Sequence, residues 1–355
     1  MIRGMAQAIR VGLIGYGLAG MAFHAPLIDT TPGLDLDAIV TGNPERQAAA
    51  ARNHPHARIL SKADHLFAGD RRVDVVVIAS PNHTHVPLVS AAIAAGLATV
   101  VDKPFAPTAG EARALIEAAG KRGVLLTVFH NRRWDGDFLT VRRLLAEKAL
   151  GDVYRFESRF ERWRPEPRRT WREDAAPAAA GGLLYDLGSH LIDQAFVLFG
   201  PATSVYAELD QRRVGVVVDD DSFVALTHVS GVRSHLWVSS VAAQSAPRMR
   251  VLGSAGAYTK YGLDVQEAAL RSGARPGLGW GEELPEHWGR LGTDDDARPV
   301  ATESGNYPAF YHLLERALRE GAAPPVPPED AVRSLEVIEA AQKSSSERAT
   351  IALKV

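Results

Sequence analysis

Residues 12–20 read GLIGYGLAG and continue the apolar run IRVGLI at 9–14. Glycines at 15, 17 and 20, in the order G-x-G-x-x-G between a strand-like run and a helix-like one, admit few folds. Gly15 permits a tight turn out of the strand, Gly17 lets main chain approach a diphosphate, and Gly20 lets helix and strand pack closely. The N-terminus of the following helix presents free N–H groups and the positive end of its dipole. The stretch, completed by Tyr16, Leu18 and Ala19, therefore implies a cradle for a dinucleotide.

The surrounding pattern gives this loop its context. Short runs rich in Val and Ile recur at 36–40 (LDAIV), 73–79 (VDVVVIA), 98–102 (ATVVD) and 124–130 (VLLTVFH). Helix-like segments at 86–95 and 108–122 lie between them. Strands alternating with amphipathic helices predict a parallel sheet covered on both faces, a Rossmann domain over residues 1–131. The pattern then changes. Residues 137–149 read as a helix, and VYRFESRFERW at 153–163 alternates apolar and polar residues, as a sheet with one wet face requires. Further strands are predicted at 203–212, 222–230, 233–241, 248–253 and 349–355, with helices at 183–199 and 306–320. The fold class is α/β, with an α+β domain over 132–355 and a proline-rich connector, AAPPVPP, at 322–328.

At 355 residues the chain is long enough for two cores. A formal net charge of −2 gives no field for nucleic acid or anionic membrane. The absence of cysteine removes disulfides, thiolate nucleophiles and Cys-dependent zinc sites. No run approaches a membrane span and the opening MIRGMAQAIR is not apolar, so a cytoplasmic protein is expected.

The second strand bears on which dinucleotide binds. Asp35 and Asp37 stand at the start of LDAIV, whereas its carboxyl end is Thr41-Gly42-Asn43, with Arg46 just beyond. An acidic residue at that end holds a ribose 2′-hydroxyl; small polar groups and an arginine suit a 2′-phosphate instead. NADP is expected, with NAD possible.

ASPNHTH (79–85) and VDKPF (101–105) fall at the carboxyl ends of predicted strands, where open α/β sheets bind ligands. Ser80, Pro81, Asn82, His85 and Asp102 are expected along the cofactor edge, and Lys103 beside its reactive end. His83 and His85 lack further ligands for a metal, and none is expected. In LLYDLGSHLID (183–193), Asp186 and His190 share a helix face four residues apart. Asp186 is expected to bond the His190 ring and fix its tautomer, making His190 a base for an alcohol proton, with Lys103 steadying charge on the oxygen. Asn131, Arg132, Arg133 and Trp134 follow the last strand of the first domain. Asn131, Arg133, Trp134, Trp163 and Tyr307 are expected to contact substrate, with Arg164 and Arg169 on an adjoining loop. The run Asp219-Asp220-Asp221 reads as a solvated turn without chemistry.

These residues resemble the Gfo/Idh/MocA oxidoreductases, which combine G-x-G-x-x-G, an EKP-type motif (here Asp102-Lys103-Pro104) and a D-x-x-x-H helix. The blocks GYGLAGMAFHAPLI, VFHNRRWDGDFLTVRRL, RFERWRPEPRRTWRE, LYDLGSHLIDQA and KYGLDVQEAALRSG are similar to the branch that contains NADP-dependent scyllo-inositol dehydrogenases. The resemblance implies that Lys103, Asp186 and His190 are the catalytic set. It also implies an open, mostly antiparallel second sheet that often joins subunits, hence a homodimer or homotetramer. Asp102 departs from the usual Glu, keeping the charge but reaching one methylene less. The expected activity is NAD(P)-dependent interconversion of a polyol alcohol, such as an inositol, and its ketone. The alternatives are an aldose or other sugar substrate on the same fold, or a non-catalytic dinucleotide-binding sensor that answers to a protein partner.

Overall fold

The computed structural model describes residues 7–67, 73–167 and 180–354. The first sheet holds β1 (Ile9–Ile14), β2 (Leu34–Val40), β3 (Arg58–Leu60), β4 (Val75–Ile78), β5 (Ala98–Asp102) and β6 (Leu126–Phe129). Their order is β3-β2-β1-β4-β5-β6, with every pairing parallel. That is the doubly wound order, and its reversal between β1 and β4 opens a crevice at the carboxyl edge.

Side-chain alternation explains why these runs are apolar throughout. Ile14, Val76, Ile78, Val101 and Val128 join one core cluster, while Val11, Leu13, Val75, Val77, Val100 and Phe129 join another. Successive residues point to opposite faces, so a strand buried on both sides needs an apolar residue at every position. Each such buried side chain contributes about 1.5–3 kcal/mol. Besides the four-residue turn of helix Asp64–Phe67, the helices of this half are α1 (Ala25–Asp29), α2 (Pro44–Asn53), α3 (His85–Ala94) and α4 (Ala109–Arg122). A π-type turn, Ala19–His24, leads into α1. Asn43 caps α2 and Thr108 caps α4 through their side-chain oxygens.

After α5 (Gly136–Ala146), the second sheet begins with β7 (Val153–Glu161). A second π-type turn, Leu184–Gly188, leads into α6 (Ser189–Phe199). The remaining strands are β8 (Ala202–Asp210), β9 (Asp221–His228), β10 (Arg233–Ser239), β11 (Met249–Gly253), β12 (Gly256–Lys260), β13 (Gly289–Gly292), β14 (Arg298–Val300) and β15 (Ile351–Ala352). The nine-stranded order is β14-β13-β12-β11-β7-β10-β9-β8-β15, and only β7 and β10 pair in parallel. The helices are α7 (Val265–Arg271), α8 (Pro308–Glu320) and α9 (Pro328–Glu347). Among the described residues no helix is long and apolar enough to cross a membrane.

The late helices return to the first sheet. Phe310, Tyr311 and Leu314 of α8 join the cluster built on Val11 and Val75, and Val332, Leu335 and Ile338 of α9 join the other. The Ala109 N–H donates to Glu339 and the Ala207 N–H to Ser344 Oγ, so α9 clamps both halves. The two sheets are thereby fixed on either side of the crevice.

Candidate active site

The glycines at the crevice do three separate jobs. Gly15 has φ +101°, and a methyl added there would lie 2.4 Å from the carbonyl oxygen of Ala79 at the end of β4. A methyl on Gly20 would lie 1.9 Å from the oxygen of Gly15, where the helix crosses the strand. Around Gly17 the nearest atom is the tip of Arg46, at 3.6 Å. The space above Gly17 is open, and no side chain caps the start of the helix there. A diphosphate fits such a place. Tyr16 contributes main chain only, because its buried ring turns inward and its hydroxyl meets Asn53 and His54.

At the end of β2, Asn43 Oδ1 accepts the Arg46 N–H (2.9 Å) and the Thr41 carbonyl accepts from Gln47. Asp37 is taken by Arg58 on β3, and Asp35 sits at the far end of the strand, in register with Arg10. Arg46 is thus the charged group beside the glycine loop, and neither aspartate reaches that edge.

Lys103 follows β5, and its bond to Pro104 is cis. Its ammonium donates to Asp186 Oδ1 at 2.9 Å and to the Asp186 carbonyl at 2.5 Å. Ser189 N–H bonds back five residues to the Leu184 carbonyl, which gives the wider π winding. Such turns recur at functional sites. Two carbonyls in it accept side chains: Tyr185 from Ser189 Oγ, and Asp186 from Lys103. The wide turn also corrects the sequence expectation. Asp186 pairs with Lys103, and His190 Nδ1 is buried without a hydrogen-bond partner among the described residues, so the anticipated bond to that nitrogen is not made. Burial, then the nearby Lys103, Arg132, His130 and Arg248, hold the His190 pKa well below its ordinary value, so the ring is a neutral acceptor. His130 meets it edge to face at 6.1 Å.

Lys103, Asp186 and His190 line one cavity of about 130 Å³ together with Leu18, Ala19, Asp102 and Asn131. The other expected contacts are placed elsewhere. Asn131–Trp134 is a single 3₁₀ turn, which sends consecutive side chains in different directions. Arg132 enters the cavity wall, whereas Arg133 turns away to Asp193 (2.8 Å) and Asp330 (2.9 Å). Trp134 packs edge-on against Phe310, and Tyr307 is fully buried with its hydroxyl on Asp135 Oδ1. Trp163 is 56% exposed, bridged to Val241 outside the cavity. Arg164 bonds through its main chain to Ser240, and Arg169 lies outside the described residues.

Along the expected cofactor edge, His85 is buried with its ring nitrogens against the carbonyls of Pro104 (2.8 Å) and Ser80 (3.0 Å), joining the two strand-end loops. His83 is exposed, so the two rings diverge. Asn82 donates to the Ala180 carbonyl and ties the halves together, and Ser80 Oγ pairs with Thr84 beside Pro81. The aspartate run is not a solvated turn. Asp219 Oδ2 accepts the Leu184 N–H (2.7 Å) and Ser222 Oγ, and Asp220 forms a buried pair with Arg213.

Sequence reasoning missed His24, Glu267 and Arg271. His24 is fully buried, its Nδ1 2.6 Å from Tyr311 Oη and its Nε2 3.8 Å from Asp102. Glu267 and Arg271 line the cavity from α7. The signal for that helix was present, since Asp264 caps it and Glu267 and Arg271 are spaced i,i+4.

Comparison with known proteins agrees with this architecture. The Gfo/Idh/MocA model described as "Oxidoreductase family, NAD-binding Rossmann fold" matches residues 9–130, and its companion, "Oxidoreductase family, C-terminal alpha/beta domain", matches 142–353. The uncharacterized oxidoreductase YdgJ of Escherichia coli K12 is 44% identical over 98% of this chain and 100% of its own. The scyllo-inositol 2-dehydrogenase (NADP(+)) IolW of Bacillus subtilis 168 is 36% identical over 99% of this chain and 98% of its own. The solved structure of the oxidoreductase yvaA from Bacillus subtilis superposes with a TM-score of 0.91 at 35% identity, covering 99% of this chain and all of that one.

Proposed function

The chain belongs to the Gfo/Idh/MocA oxidoreductase family, and we propose that it interconverts a secondary alcohol of a polyol, an inositol first, and the corresponding ketone, with NADP as its dinucleotide. The observation that carries this reading is one cavity in which a Lys103–Asp186 ion pair and a neutral His190 meet the glycine-loop residues Leu18 and Ala19. Residues 1–131 would bind the cofactor, and 132–355 the substrate and a second subunit. The dinucleotide, when bound, supplies the hydride acceptor or donor.

The protein's own groups handle the proton and the charge. Lys103 spends two N–H bonds on Asp186 and keeps a third for the alcohol oxygen. Asp186 keeps that ammonium aimed, and the ammonium stabilises negative charge as it develops on the oxygen. His190, neutral at rest, accepts the hydroxyl proton at its free ring nitrogen in the oxidative direction and returns it in the reductive one. The preference for NADP is supported by Arg46 beside Gly17, by the engagement of Asp37 with Arg58, and by the relative IolW. The inositol choice is supported by that same relative and by the polar cavity wall.

Lys103→Met tests the assignment. Turnover should fall at least about 100-fold, while NADP affinity by titration stays within a few-fold. Equal loss of binding and turnover would remove Lys103 from the chemistry.

A further inference from the structure

The cavity contains a carboxylate that the proposed reaction does not use. Glu267 lines it from α7, a quarter exposed. Its Oε2 accepts a 2.5 Å hydrogen bond from Arg132 Nη2, and its Oε1 forms a 3.1 Å ion pair with Arg271 Nε. Arg132 is itself fixed: it is buried, bonded to Asp135 and seated over the Phe160 ring at 4.6 Å.

The helix is mounted as firmly as the cation. Asp264 caps it through the Gln266 N–H (2.8 Å) and accepts the Gly136 N–H (2.7 Å). The buried Gln266 side chain donates to the Trp134 carbonyl and accepts from Trp280 Nε1 and the Tyr307 N–H. A side chain on so braced an element holds its position before a ligand arrives.

A carboxylate offers about four lone-pair directions, and the Arg132 bond occupies one of them. Two guanidinium groups hold it in place, and a carboxylate accepts stronger hydrogen bonds than a neutral oxygen. Its two oxygens match two hydroxyls on neighbouring carbons. We infer that Glu267 determines specificity by accepting hydrogen bonds from a vicinal diol of the substrate, next to the carbon that reacts at Lys103 and His190. This inference rests on the proposed reading of the cavity as a polyol site. It selects compounds with contiguous hydroxyls.

The test compares an inositol with its monodeoxy analogues, using the full-length protein as wild type, Glu267→Gln and Glu267→Ala. Turnover is read with NADP, and binding of each compound is read by calorimetry on the NADP-loaded protein. Wild type should favour the intact inositol over analogues lacking a hydroxyl beside the reacting carbon by about ten- to a hundred-fold in kcat/KM. Glu267→Ala should lose that preference through a raised inositol KM, with the deoxy compounds changing less than about three-fold. Glu267→Gln, which keeps one acceptor oxygen, should fall between, with unaltered NADP affinity. The same preference in all three proteins would overturn the inference. If wild type oxidises no alcohol but binds the intact inositol better, and Glu267→Ala abolishes that difference, the reaction fails while the role of Glu267 stands. Equal binding of intact and deoxy compounds by wild type would overturn it.

Discussion

Two alanines in one loop separate its architecture from its ligand. A methyl on Gly20 would be 1.9 Å from the Gly15 oxygen and 2.9 Å from its carbonyl carbon, against the 3.5–4.0 Å of a comfortable contact. The neighbour is main chain, so no rotamer relieves the clash. The helix must lift from β1, disturbing Ala22, Ala25, Leu27 and Ile28, all buried beneath it. Overpacking of this kind costs about 3 kcal/mol, which the better helix propensity of alanine offsets by at most about 1. At Gly17 the only neighbour is the end of the Arg46 side chain, at 3.6 Å, and φ is not positive. Gly17→Ala should therefore leave unfolding within about 0.5 kcal/mol of wild type. It would nonetheless fill the open space that a diphosphate needs, and a hundred-fold loss of NADP affinity, about 2.7 kcal/mol, is expected. Thermal unfolding without ligand and calorimetric titration with NADP measure the two effects separately. Wild-type NADP affinity in Gly17→Ala, or wild-type stability in Gly20→Ala, would refute the reasoning.

Arg46→Ala should weaken NADP far more than NAD in titrations of both; an unchanged preference would dismiss Arg46 as the 2′-phosphate contact. Arg133→Met should lower stability by about 3–5 kcal/mol, because the buried Asp193 loses its arginine, yet leave the inositol KM of the folded fraction unchanged. The His190 pKa lies below 6.5 in the folded protein, so stability tied to its neutral ring is complete above pH 6.5 and is lost as pH falls below it. Between pH 6 and 5 the unfolding free energy of His190→Asn should therefore fall less steeply than that of wild type, by up to about 1.4 kcal/mol per pH unit. Alcohol oxidation should likewise keep its full rate down to below pH 6.5, where its acid limb begins.

The first sheet was legible because burial on both faces leaves runs such as Val75–Ile78 with no polar position to confuse them. Strand β3 escaped notice, being three half-buried residues, and so did β13 and the edge strand β14, short strands carrying Gly, Arg and Pro. Helix α9 carries Pro328 at its start and Glu329 and Asp330 in its first turn. It is gripped from several sides, however, and Ala331, Val332, Ser334, Leu335 and Val337 blur any single apolar stripe. At the site, Lys103 at its strand end and Asp186 and His190 on a helical segment were readable, but their pairings were not. Those depend on a π turn that gives Asp186 to Lys103 and on a 3₁₀ turn that sends Arg132 rather than Arg133 to the cavity. Glu267 meets Arg132 across 135 positions of sequence, a contact only the tertiary fold creates.

The most direct measurement is the change in nicotinamide absorbance when purified protein meets NADP or NAD with a panel of inositols and aldoses. Reduction of NADP with scyllo-inositol or a close stereoisomer is expected, with slower reduction of NAD and none by Lys103→Met. Tight dinucleotide binding with no turnover of any alcohol in the panel would contradict it and favour a dinucleotide sensor.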